Sequence, residues 1–327
     1  MVSLVSVTMM ALASLSLASV SNAADWFDGL PTVTTDKDVY LAGQTVGISV
    51  TCYVPASFSS TGQCYFTVED ALGNTVYDRR NHVSVFWVLT SLMPPKTFSF
   101  EWNQLDDAGK QVQPGDYEIW GYEAGYRFWG PPLIGNSTSV SIVERYDVNL
   151  PRGWNLFSLP LLASNYTSSS LGLPNGSVVA GWNKTTSSYD LFIVGLSPPS
   201  RAFALTDFSA YFIYTPSSCT VSIFGLPVTS PQTFQWNLSP SGSGWVFAGF
   251  PKTGTVHYAN EIQSWIDTPG AKVMMVVRFN PATGSYQTWF SSLPMINNFP
   301  LWPGEGYGIF LTTSSLYGNV VTVTYGP

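Results

Sequence analysis

Over residues 31–146 apolar and polar positions alternate with the two-residue period of strands, and a turn signal interrupts the alternation about every ten residues. The stretch DKDVYLAGQTVGISVTCYV turns at Ala42-Gly43 and then alternates through Val46, Ile48, Val50 and Cys52. QCYFTVEDALGNTVYDRR reads as a strand, a Leu-Gly-Asn turn and a second strand. TFSFEWNQLDDAGKQVQPGDYEIWGYEAG supplies a strand, a turn over 106–109, another at Pro114-Gly115, and a strand alternating through Tyr117, Ile119 and Gly121. Short strands so spaced predict a β-sandwich over 24–146.

The rest of the chain aligns with itself. LPRGWNLFSLPL and PSGSGWVFAGFP each place a Gly-Trp before alternating apolar residues and stop at a proline, at an offset of 91 between Trp154 and Trp245. Farther on, Asn183 meets Asn280 and Ser188-Tyr189 meets Ser285-Tyr286 at an offset of 97. FALTDFSAYFIYT then meets FPLWPGEGYGIFLT, pairing Phe203 with Phe299, Tyr211 with Tyr307 and Ile213 with Ile309 at an offset of 96. Three anchors in one order with nearly constant offsets define a duplication, 147–233 and 234–327. Each copy predicts an opening strand, a variable middle, a hairpin and an apolar strand pair around the tyrosine. In the second copy Ala259, Ile262, Trp265 and Ile266 share a helical face that ends at Pro269-Gly270; the first copy's middle predicts no such helix. The expected fold is therefore all-β, three tandem β modules, the last carrying a short helix.

Two resemblances follow from these residues. Trp102, Asp106, Asp107, Gly109, Val112, Pro114-Gly115 and Tyr117 stand in the order found in the immunoglobulin-like domain of flagellar hook-capping proteins and of bacterial secreted-protein tails. GWNLFSLP and PGEGYGIF resemble the two ends, GWNLISLP and PGxGYW, of a surface-layer-type repeat of secreted bacterial and archaeal envelope proteins. The first resemblance implies a sandwich and no particular chemistry. The second implies an extracellular, envelope setting without a shared enzymatic activity.

Composition sharpens this picture. Charged residues make up 10% of the chain and aromatics 15%, which excludes a disordered chain. Fifteen of the twenty carboxylates lie at or before Asp147, so a module boundary is expected at 146/147. A net charge of −7 and thirteen dispersed basic residues give no footprint for nucleic acid. The uncharged run over 5–20, followed by SNA at 21–23, reads as a secretory signal peptide, 1–23, and no later run is long and apolar enough to span a membrane. The expected location is outside the cell or on its surface.

In an exported chain Cys52 and Cys64, which flank a polar loop, are expected to form a disulfide. Cys219 is left over, as a small buried residue or as the link in an intermolecular disulfide. Catalytic chemistry finds little material. His82 and His257 lie in different modules, and no metalloprotease, hydrolase, phosphate-loop or Cys-x-x-Cys motif occurs. An enzyme is not expected, and neither is a cofactor. The densest carboxylates are Asp106-Asp107 and the Asp116, Glu118 pair, the first two explained by turn chemistry. A calcium site on Asp36, Asp38, Asp106 and Asp107 lacks the spacing of a known calcium loop.

Surface features point to partners instead. Trp120, Tyr122, Tyr126 and Trp129 form an aromatic cluster that reads as core and interface, or as a stacking platform for sugars. Sequons at Asn136, Asn165, Asn175, Asn183 and Asn237 mark glycosylation positions and, with the ion-poor surface, fit an archaeal envelope. After signal cleavage the segment ADWFDGLPTVTT carries Trp26, Phe27, Leu30 and Val33, which form the first strand of their own sandwich or are lent to a neighbour's sheet edge. The reading is an exported structural subunit of a filament or surface layer that associates with itself; the alternative is a carbohydrate-binding adhesin.

Overall fold

The computed structural model describes residues 30–52, 60–82, 87–89, 95–125, 133–163, 165–183, 186, 188–238, 242–313 and 319–327. The expected signal segment, Trp26 and Phe27, and Tyr126 and Trp129 lie outside these residues. The chain is all-β, as the alternation required, and among the described residues helix is confined to 3-10 segments at Arg79–Asn81, Pro199–Arg201 and Ala259–Trp265.

The leading strands are β1 (Thr32–Thr35), β2 (Val39–Leu41), β3 (Val46–Cys52), β4 (Ser60–Asp70), β5 (Thr75–Asp78), β6 (Trp87–Leu89), β7 (Lys96–Trp102), β8 (Gly115–Gly125) and β9 (Leu133–Leu150). A sheet of order β1-β3-β7 packs over one in which β9, β8, β4 and β5 are successive neighbours. Val46, Ile48, Val50 and Cys52 point inward from β3 as the period-two pattern demands, meeting Phe66, Trp102 and Ile119 in one core. The turn residues do what their chemistry allows. Asp106 Oδ1 accepts the N–H groups of Ala108 (3.0 Å) and Lys110 (2.8 Å), while Gly109 takes φ 78°. Trp102 is fully buried, its Nε1–H donating to Leu105 O at 2.8 Å, and the Tyr117 hydroxyl closes the corner on Gln113 O.

Asp147, where the charge density falls, lies inside the continuous 18-residue β9 and not in a linker. The first part of β9 pairs with β8, from Leu133 opposite Glu123 to Ile142 opposite Gly115. Its last part, Glu144 to Leu150, pairs with β14 (Cys219–Gly225). One strand therefore belongs to two cores, and the charge step marks a change of surroundings along it.

Between these lie β10 (Gly153–Ser158), β11 (Val178–Asn183), β12 (Ser188–Ile193) and β13 (Ala210–Thr215), in a sheet of order β10-β13-β11-β12. The remaining strands are β15 (Gln232–Asn237), β16 (Ser243–Gly249), β17 (His257–Tyr258), β18 (Lys272–Asn280), β19 (Ser285–Phe290), β20 (Pro300–Leu301), β21 (Gly306–Thr312) and β22 (Val320–Tyr325). Here the sheet order is β16-β21-β18-β19, the same permutation. A flanking ribbon covers each sheet, β9 with β14 and β15 with β22. Phe157, Val179 and Ile213 meet Val221 and Ile223 in one core; Val246, Val276 and Ile309 meet Val321 and Val323 in the other. The duplication read from the sequence is thus a duplication of topology. The predicted helical face is present in part: Ala259, Ile262 and Trp265 are buried, but their spacing of three suits a 3-10 helix, and Ile266 caps it.

Candidate functional site

Cys52 and Cys64 are disulfide-bonded, with Cα atoms 6.5 Å apart, and a disulfide fits an extracellular protein. Cys219 is free and half-buried, and burial pushes its thiol pKa up. Val33 is 2% exposed in β1, opposite Val50 of the same chain, and its N–H donates to Asn136 Oδ1 at 2.7 Å; Leu30 is exposed. Residues from Thr32 onward thus form the chain's own first strand. Trp120 and Tyr122 project from β8 half-buried. The Tyr122 ring stacks on Tyr65 (5.0 Å, 3°), whose centroid lies 4.9 Å from the Arg80 guanidinium. Trp120 and Tyr122 both lie on the face of β8 opposite buried Ile119, the face that carries that stack. Asn136, Asn165, Asn175 and Asn237 are exposed, whereas half-buried Asn183 spends its Nδ2 on Asp190 Oδ2 at 3.0 Å.

The acidic groups are engaged locally. Tyr40 donates to Asp36 and holds its carboxyl below the usual range. Asp107 pays some desolvation, yet the Asp78 N–H, His82 and Asn81 hold it low. Among the described residues no three His, Cys, Asp or Glu side chains are grouped to hold a metal, so the calcium set is not assembled. One arrangement escaped the sequence reading. Thr255 Oγ1 lies 3.2 Å from His257 Nε2, and His257 Nδ1 lies 2.8 Å from Glu261 Oε2, the connectivity of a nucleophile relay. The i,i+4 spacing of His257 and Glu261 was the available signal. The imidazole is packed edge-on against Trp265 (5.2 Å) and Tyr325 (5.4 Å), which ties the 253–257 loop to the core. A cavity of about 220 Å³ lies elsewhere, lined by Arg278, Asn280, Ser285, Tyr286, Gln287 and Glu305. Arg278 and Glu305 pair across it at 2.7 Å. In the first copy Gly181 stands where Arg278 does, and a Cβ there would meet the Phe203 and Tyr211 rings.

The two repeats contact one another through equivalent residues. Ser158 N–H donates to Gly304 O (3.1 Å), and Gly249 N–H donates to Phe208 O (3.3 Å). Ser158 aligns with Gly249 and Phe208 with Gly304, so the two bonds exchange partners about a local two-fold axis. On that axis a Cβ added to Gly249 would overlap Ser158, and one added to Gly306 would lie 2.6 Å from its equivalent, Ala210 Cβ. Glycine permits this closeness. Phe212 and Phe247 meet edge to face beside it (5.1 Å), and Ser158 Oγ donates to Glu305 O at 2.7 Å.

The sheet faces that make this contact extend beyond it. In β10 Asn155 and Phe157 point into the core, while Trp154, Leu156 and Ser158 point outward. The same face carries Tyr214, Trp182, Tyr189 and Leu191 from neighbouring strands. Its counterpart carries Trp245, Phe310, Phe279, Tyr286 and Phe290. Trp154 leans on Tyr214 at 5.5 Å and 59°, and Trp245 leans on Phe310 at 5.4 Å and 59°. Trp154 is 50% exposed and Trp245 46%. Among the outward positions of both sheets there is no carboxylate, and the one cation is Lys272 at a strand end. These two faces are therefore the candidate interaction surface. Its sequence signal is a strand apolar on both faces.

No protein-family model matches the chain, and no curated protein does either. Among solved structures the chain is similar to a marsupial T cell receptor, at 11% identity over 92% of this chain and 99% of that one, with a TM-score of 0.22. So slight a likeness carries no argument; the β architecture rests on its own strand pairing.

Proposed function

We propose that the chain is a structural subunit of an extracellular assembly, a filament or surface layer, in which copies of the protein bind one another. The observation that carries this reading is the pair of exposed, nearly uncharged aromatic sheet faces, centred on Trp154 and Trp245. Burying such faces removes apolar surface from water and desolvates almost no charge. The construction suits a load-bearing role. The shared strand β9 joins the sandwich to the first repeat, the two-fold contact joins the repeats, and Lys252 clasps Glu144 at 2.6 Å between the second repeat and β9. The Cys52–Cys64 disulfide fits the extracellular setting. Immunogold electron microscopy of the producing cells tests the proposal: label on filaments or a regular surface layer supports it, and label on dispersed single molecules contradicts it.

A second reading, a carbohydrate-binding adhesin, is favoured by the polar cavity beside exposed Tyr286, where Arg278, Asn280, Gln287 and Glu305 offer donors and acceptors next to an aromatic ring. Glycan-array binding that is lost in Tyr286→Ala, with no assembly on cells, would favour this reading over the first.

A further inference from the structure

This inference rests on the assembly reading and gives it a joint. We propose that the chain is bivalent for itself: the Trp154 face of the first repeat binds the Trp245 face of the second repeat on another copy, head to tail.

The occupant follows from what already touches these faces. Inside one chain the first repeat's sheet face meets the second's at Ser158–Gly249, Ala210–Gly306 and Phe212–Phe247. The exposed aromatics are the uncovered remainder of those same two faces, continuous with the built interface. The molecule therefore contains one worked instance of the contact, first repeat against second, with Leu156 and Ala210 set against Gly306. A partner of the same sequence brings the same weakly charged, aromatic surface to the remainder, where Lys272 is the one ionic group among the outward strand positions. Trp and Tyr at the centre of such a face carry most of the energy of association.

Valence follows from the local two-fold. The axis that relates Ser158 to Gly249 sets the two uncovered half-faces on opposite sides of itself. A copy bound on one face leaves the other face open, so a first-to-second contact is heterologous and continues without closing. The chain then polymerises through its repeats, while the leading sandwich rides along on β9.

Two full-length variants test this, Trp154→Ser/Trp182→Ser and Trp245→Ser/Tyr286→Ser, each changing exposed side chains only. Leu191→Lys and Phe290→Lys form a second pair that places charge on the same faces should the first pair fold poorly. Mass photometry is run on each variant alone and on a one-to-one mixture, under conditions in which the unaltered chain assembles. The proposal expects monomers from each variant alone, with self-association weakened more than about tenfold, and heterodimers but nothing longer from the mixture. Homodimers of either variant would show like-to-like pairing and overturn the proposal. So would assemblies of undiminished length, which would place the joint elsewhere while leaving the subunit reading intact. An unaltered chain that stays monomeric under all conditions would overturn the subunit reading itself.

Discussion

The Tyr307 hydroxyl accepts the backbone N–H of Trp302 at 2.6 Å, and in the first repeat Tyr211 accepts the N–H of Thr206 at 2.7 Å. Each tyrosine thus fastens the loop entering its own strand. Tyr307 is fully buried, with its pKa raised far by desolvation and then by Glu305, and it also donates to Glu305 Oε2 at 3.2 Å. Tyr307→Phe removes the acceptor of the part-buried Trp302 N–H and the bond to Glu305, and is expected to destabilise by about 1 kcal/mol. Tyr211→Phe removes the same fastening without the carboxylate partner and is expected to cost less. Urea unfolding of both variants checks the order.

The two-fold contact makes a sharper demand. Gly249→Ala forces a Cβ into Ser158, an overpacking expected to cost about 1–3 kcal/mol. Adding Ser158→Gly removes the clash and should restore much of that loss, although the bond from Ser158 Oγ to Glu305 O goes with it. Strictly additive losses in thermal unfolding would mean that the two residues are not neighbours.

Much of this was legible in the sequence, and the boundary of legibility has physical causes. Alternation at Val46–Val50 and the Gly-Trp repeats located strands correctly because the side-chain period of a strand is two. Alternation does not say which face is covered, and Trp154 points to solvent while Asn155 is buried. Aligning Ser158 with Gly249 showed that they are equivalent, but nothing local shows that equivalent residues touch. Asp147 marked a change in charge, yet charge cannot tell a linker from one strand shared by two cores. The buried positions of 259–265 repeat every three residues, which reads as either helix type until the capping is seen.

Acid should act unevenly on the molecule. In the sandwich Asp36 is held low by Tyr40 and Asp70 by Asn74, and Asp107 is also net lowered, whereas Asp147, held low by Ser222 and then Arg145, belongs to the stretch of β9 that joins the first repeat. A carboxyl whose folded pKa lies below its unfolded value adds stability above the unfolded pKa, and that stability is lost as pH falls through the folded one. Asp207 in the first repeat behaves in the opposite sense. Desolvation raises its pKa against the pull of the Ala163 N–H, so its contribution is present at low pH and lost as pH rises through the folded value. Radical footprinting of the intact chain on heating, at pH 7 and pH 2.5, should therefore show the leading sandwich losing more melting temperature in acid than the repeats. Equal losses would contradict the electrostatic account.

Non-reducing peptide mass spectrometry should recover Cys52 joined to Cys64, with Cys219 unlinked and slow to alkylate at neutral pH because burial raises its pKa. Reduction should lower the sandwich's stability by about 3 kcal/mol. A Cys219–Cys219 peptide would instead show covalent joining of subunits.

The central claim is that neighbouring copies cover the aromatic sheet faces. Hydroxyl-radical footprinting of the native assembly against dissociated monomer reads this directly, with Met295, 91% exposed and outside both faces, as an internal standard. The account predicts that oxidation of Trp154, Trp182, Trp245 and Tyr286 falls sharply on assembly while Met295 stays reactive. Oxidation of these aromatics at the monomer's rate within an intact assembly would contradict it.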